Sequence, residues 1–169
     1  MIRPRRRLTA VIGVILALTG AVLDVRGAAG SSHGAGEEIA TMERAVVERV
    51  NEIRGKHGAR PLDVDEALAD IARDHSCRMA RGGFFAHDAP GAGGIADRLR
   101  AAGKDFRAVG ENLATNRNAR DPVAAALSGW MKSPSHRRNI LSEAYTETGV
   151  GICRGERGYY VTQVFVKPA

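Results

Sequence analysis

The segment Trp130-Met131-Lys132-Ser133-Pro134-Ser135-His136-Arg137-Arg138-Asn139-Ile140-Leu141 decides how the rest of the chain is read. An apolar helical run leads into it, Ser133-Pro134 breaks that run, and a second short helix begins at once. Serine at an N-cap with proline at the first helical position is a start signal, because proline lacks the amide hydrogen that the first turn leaves unpaired anyway. His136 then lies in the first turn, its ring directed away from the anchoring pair Ile140 and Leu141. Upstream, Asp121-Pro122 repeats the device, and Val123, Ala126, Leu127, Trp130 and Met131 recur at helical spacing as a core face.

Downstream, Thr148-Gly149-Val150-Gly151-Ile152-Cys153 alternates glycine with apolar residues as a half-buried strand. Arg154 to Gly158 reads as a polar turn, and Tyr159 to Val166 as a final strand. Upstream, Ile39, Met42, Val46, Val50 and Ile53 mark an amphipathic helix that ends near Gly55 or Gly58. Asp63 with Glu66 resembles a capping box that opens a second helix. Its stripe is Leu68, Ile71, Ala72, His75 and Met79, and Gly82-Gly83 stops it. His75 on that stripe is read as a core histidine satisfied by one backbone carbonyl. Phe84 and Phe85 are expected to be core anchors. A short helix over Ile95–Ala102 and a strand over Phe106–Thr115 complete the elements. Helices on both faces of a small antiparallel sheet would bury these apolar faces, so the fold class is α+β.

The first 29 residues read as an export signal. Arg3, Arg5, Arg6 and Arg7 precede an apolar run from Leu8 to Leu23, and Gly27-Ala28-Ala29 offers a cleavage site. That run is shorter than the ~20 residues a membrane span requires. Residues 30–37 are small and polar, and are expected to form a flexible linker to a domain over 38–169. Without the leader the chain keeps 20 of its 25 basic and 18 of its 19 acidic residues, so the net charge falls from +6 to +2. No basic stripe interleaved with aromatics remains, which argues against nucleic acid as a partner.

Cys77 and Cys153 both fall in the exported part, and an oxidising compartment favours one disulfide between them. Closing so long a loop stabilises by about 4.5 kcal/mol in the chain-entropy model. Cys77 shares the polar side of its helix with Asp70, Arg73 and Arg81, so two separate thiols are the alternative. Neither cysteine sits in a nucleophilic or metal-binding motif. His87 opens a Gly/Ala/Pro-rich loop, where side chains held by a scaffold meet ligands. Glu111 interrupts an apolar strand, and a carboxylate there must be paired, hydrogen-bonded or ligating.

His87, Gly110-Glu111-Asn112-Leu113-Ala114, the Ser133–Leu141 segment, Gly149-Val150-Gly151-Ile152 and Tyr160-Val161-Thr162-Gln163-Val164-Phe165 together resemble the CAP superfamily. This comprises the cysteine-rich secretory, antigen 5 and pathogenesis-related-1 proteins, and the chain is most similar to its bacterial SCP-like branch. The resemblance covers about Val46 to Val166, with the motifs in family order. It implies a three-layer α-β-α sandwich with a small central antiparallel sheet and a surface cleft. In animal and plant members that cleft holds two His and two Glu able to bind a divalent cation. Here His87 matches the first histidine and Glu111 the first glutamate. Ser133 stands at the second glutamate's place and Tyr160 at the second histidine's, while His136 belongs to the bacterial pattern. The resemblance therefore implies a cleft of His87, Glu111 and His136, with Asn112 and Tyr160 as neighbours.

Two imidazoles and one carboxylate suffice for a three-ligand zinc site with an open position, so zinc or another divalent cation is the candidate cofactor. The alternative is that Glu111 binds one or both histidines and simply holds the cleft together. Three function classes follow: a secreted monomeric module binding a lipid, sterol, glycan or peptide; a metal-dependent extracellular hydrolase; or a non-catalytic interaction domain. The first is preferred, because no nucleophile and no second carboxylate placed as a base can be identified.

Overall fold

Nine elements follow one another in the computed structural model, which describes residues 29–117 and 119–169: α1 (Ala29–Lys56), β1 (Asp63–Val64), α2 (Glu66–Gly82), α3 (Ile95–Ala101), β2 (Phe106–Asn116), α4 (Pro122–Lys132), α5 (Pro134–Leu141), β3 (Glu147–Gly155) and β4 (Gly158–Pro168). The leader read over residues 1–29 lies outside the described residues except for Ala29, where α1 begins. Residues 30–37 belong to α1 rather than to a separate linker. The end of that stretch, Gly34–Glu37, is exposed and continues the amphipathic helix without burying a face of its own. No described helix is long and apolar enough to cross a membrane.

The sheet runs β1-β3-β4-β2, with β3, β4 and β2 antiparallel. The expected all-antiparallel sheet gains a fourth member, because β1 pairs with β3 in parallel through only two residues. That pairing also moves the expected cap of α2. Asp63 donates its amide to Thr146 O, and the cap falls to Asp65, whose carboxylate accepts from Ala67 N and Leu68 N at 2.7 and 3.1 Å.

Two layers cover the sheet. On one face Val46, Val50, Trp130, Ile140, Val150, Ile152, Val161 and Phe165 join α1, α4 and α5 to the strands. On the other, Leu68, Ala72 and Leu99 of α2 and α3 pack on Val164 and Val166. Trp130 is 1% exposed and its indole N–H donates to Leu113 O at 2.9 Å, as a buried tryptophan requires. Leu113, Val150 and Phe165 are buried, whereas Ile71 of the α2 stripe is only half-buried at the rim of its cluster.

The glycines of β3 seat α2. A Cβ at Gly149 would run into the backbone at Leu68 and Ala69, and one at Gly151 into Ala72 and Arg73. Helix and strand therefore approach at backbone distance. That approach also brings Cys77 to Cys153: their Cα atoms are 5.0 Å apart and the two form a disulfide.

Candidate functional site

The site is built around β2, an edge strand whose one partner in the sheet is β4. Successive side chains on a strand leave opposite faces. Glu111 pairs in register with Val164 on the α2–α3 side, so Asn112 is turned toward α5. Two adjacent residues thus reach into two different layers.

Glu111 is 2% exposed at its side chain, and both carboxylate oxygens are occupied. Oε2 accepts from Arg98 Nη2 at 2.6 Å, and Oε1 lies 2.7 Å from His87 Nδ1. Arg98, itself 5% exposed at the side chain, also donates to His87 O at 3.2 Å. Burying a carboxylate costs several kcal/mol unless a well-placed countercharge meets it. Arg98 is that countercharge. His87 is the solvent-facing member, with 56% of its side chain exposed. With Nδ1–H donating to the carboxylate, the neutral ring keeps Nε2 as an acceptor.

Local structure explains why these groups meet. Gly83 caps α2 at φ 66°, in the left-handed region, and turns the chain away from the helix. His75, fully buried on α2, bonds through Nε2 to Ala86 O at 3.0 Å and so pins the loop one residue before His87. Burial, and next the charge of Arg98, hold the His75 pKa below its ordinary value. Gly94 then starts α3, with Asp97 accepting from its amide at 3.2 Å, and the short helix turns Arg98 and Leu99 inward.

Around the strand edge, amides join β2 to α5. Asn112 Nδ2 donates to His136 O at 3.1 Å, while Asn139 Nδ2 donates to Asn112 Oδ1 at 2.9 Å and to Glu111 O at 3.2 Å. His136 is half-buried, and burial first, then the neighbouring His87, lowers its imidazole pKa. His87 and Glu111 are therefore in direct contact, and His136 is coupled to His87 through space. Among the described residues no hydrogen bond joins the His136 ring to Glu111. Tyr160 stands apart, opposite Thr115, four strand positions (about 13 Å) from the Glu111–Val164 pair. It is 5% exposed and packs with Met79 and Leu113.

This donor set does not fit a three-ligand zinc site. Among the described residues no group of three or more His, Cys, Asp or Glu side chains is disposed to hold a metal. Both oxygens of Glu111 are engaged, and the fixed charge of Arg98 beside them repels a divalent ion. Arg98 is the residue that sequence reasoning missed. Its position three residues after Ile95, beside Leu99 on a short helix, was the available signal.

A sandwich of this topology with a His–Glu pair at the edge of β2 defines a class. The chain belongs to the cysteine-rich secretory protein (CAP) family, whose model matches residues 47–166. It is 39% identical over 127 residues to the Bacillus subtilis membrane protein YlbC, and 36% identical over 136 residues to YkwD of the same organism. Those matches take 75% and 80% of this chain, but 35% and 51% of the relatives. The chain thus spans about half of their length or less. Among solved structures it is similar to an extracellular SCP-domain protein from Bacillus anthracis, with 34% identity and a TM-score of 0.67 over 76% of this chain and 41% of that one.

Proposed function

We propose that this CAP domain is an extracellular binding module that takes a polar ligand, a glycan or a peptide, at the edge of β2. The observation that supports the reading is His87, an exposed imidazole fixed by a buried carboxylate that is itself fixed by a buried guanidinium. Such a backed histidine presents one hydrogen-bonding atom in a defined direction at little entropic cost. His136 supplies a second imidazole on the other side of the strand edge, and Asn112 and Asn139 hold α5 in place. A polar ligand suits this set better than a sterol or an acyl chain, because the groups that meet here are imidazoles, a carboxylate, a guanidinium and amides. The extracellular setting accords with the B. anthracis relative.

The test is an NMR titration of the domain with N-acetylchitotriose, trialanine and a soluble fatty acid as separate probes. Shifts at His87, Asn112 and His136 with either polar probe, abolished in a folded His87→Ala variant, are expected. Binding of the fatty acid alone, or polar binding that His87→Ala leaves unchanged, overturns the reading.

A further inference from the structure

A second site lies on the far side of the disulfide. Two adjoining grooves, of about 520 and 340 Å³, share Gly83, Arg157 and Tyr160 in their walls. The larger adds Arg81 and Arg154, and the smaller adds Arg117 with Phe84 and Phe85. Their cations are Arg81, Arg117 and Arg157 against one acid, Glu156, because Arg154 pairs with Tyr159 on the opposite face of the sheet from Cys153. Among the described residues Arg81, Arg117 and Arg157 form no ion pair. Clustered guanidiniums left without counterions repel one another, and a bound polyanion relieves that repulsion.

Arg81 is in the last turn of α2, Arg154 is on β3 beside Cys153, and Arg157 is in the hairpin turn. The Cys77–Cys153 bond ties α2 to β3 within four residues of Arg81 and one of Arg154. Arg154 instead lies over the Tyr159 ring, 5.8 Å from its centroid, on the α1 side of the sheet. Phe85, expected in the core, is 49% exposed where the smaller groove opens. An exposed aromatic beside guanidiniums offers a stacking face for a ring that carries negative charge nearby.

We infer that this groove binds an anionic polysaccharide, a sugar chain bearing sulfate, phosphate or carboxylate groups, with the arginines on the anions and Phe85 against a sugar ring. The site is separate from the His87 cluster and does not depend on it. The probe is a short dextran sulfate, with uncharged dextran of the same length as its partner. The charged chain should bind with an affinity that falls as salt rises, and the uncharged chain should not. An Arg81→Gln, Arg157→Gln double variant should weaken binding roughly tenfold, the loss of charge-assisted contacts at the modest end of their range. Phe85→Ala should weaken it while leaving the salt dependence intact.

The Arg137→Gln, Arg138→Gln double variant removes the same charge from α5 and should leave the affinity within about twofold, a margin under 0.5 kcal/mol. Equal weakening by that control would show a diffuse charge effect and overturn the proposal. So would loss of dextran sulfate binding in His87→Ala, which would place the chain at the other site. Binding to phosphatidylglycerol vesicles with none to dextran sulfate would identify a membrane surface instead and also overturn it.

Discussion

Replacing Arg98 by Met keeps the length of the side chain and removes its charge, leaving Glu111 buried at 2% exposure beside His87 alone. Both partners of the ion pair are almost fully shielded from water, so solvent screening scarcely reduces its weight. Removing one member of a buried pair costs about 3–5 kcal/mol, chiefly from the charge left behind. For a domain of this size that corresponds to a melting temperature lower by roughly 10–20 °C. Arg98→Met, Glu111→Gln and the double variant complete a cycle, measured by urea denaturation at pH 7.5. The double variant should cost less than the two singles together by at least about 1 kcal/mol, since it leaves no bare charge. An Arg98→Met loss under about 1 kcal/mol, or strict additivity, would refute a buried pair and would leave His87 without its fixed support.

Three further outcomes are expected. His75 and His136 are both held below the ordinary histidine range, by burial first and then by Arg98 and His87 respectively. The unfolded chain therefore takes up these protons first as pH falls: stability is complete above about pH 6.5 and declines below it, at up to about 1.4 kcal/mol per pH unit for each group. Urea midpoints at pH 7.5 and 5.5 check this, and a His75→Gln variant should show the shallower decline. Gly151→Ala drives a Cβ into the backbone of Ala72 and Arg73, so a loss of about 2–3 kcal/mol is expected from calorimetry, and a neutral result would mean that α2 does not rest on β3. Replacing Cys77 and Cys153 by Ser should cost about 4.5 kcal/mol on the chain-entropy account, and unchanged stability would show that the bridge constrains little.

What could be read from the sequence was the part written in short-range pattern. The stripe of α2, the caps at Asp121-Pro122 and Ser133-Pro134, and the burial of Trp130 all follow from spacing within one element. The family resemblance supplied the sandwich and brought His87 and Glu111 together. What escaped depends on partners distant in sequence. β1 is two residues long and exists only because β3 lies beside it, which moved the cap of α2 from Asp63 to Asp65. The glycines at 149 and 151 read as alternation in a half-buried strand, yet they are small because a helix backbone lies over them. Phe85 reads as core because it is large and apolar, but Gly83 has already turned the chain outward.

Arg98 escaped for a reason that also explains the site's position. A carboxylate in the middle of a sheet would have to be neutralised by a neighbouring strand, and its partner would compete with the core for space. At Glu111 the strand is an edge, so α3 can lay a guanidinium against one face while α5 meets the other through Asn112. The open edge leaves room for His87 to face solvent while holding the buried charge at 2.7 Å. The residue types alone, two histidines and a glutamate, suggest a metal centre. With an arginine inserted at 2.6 Å from the carboxylate, His87 and Glu111 form an internally neutralised hydrogen-bonded cluster, and the His136 ring makes no hydrogen bond to Glu111 among the described residues. The difference rests on one side chain from a seven-residue helix. A chain of this pattern with an uncharged residue at position 98 would leave Glu111 in need of another cation, and that is where a divalent ion would be expected.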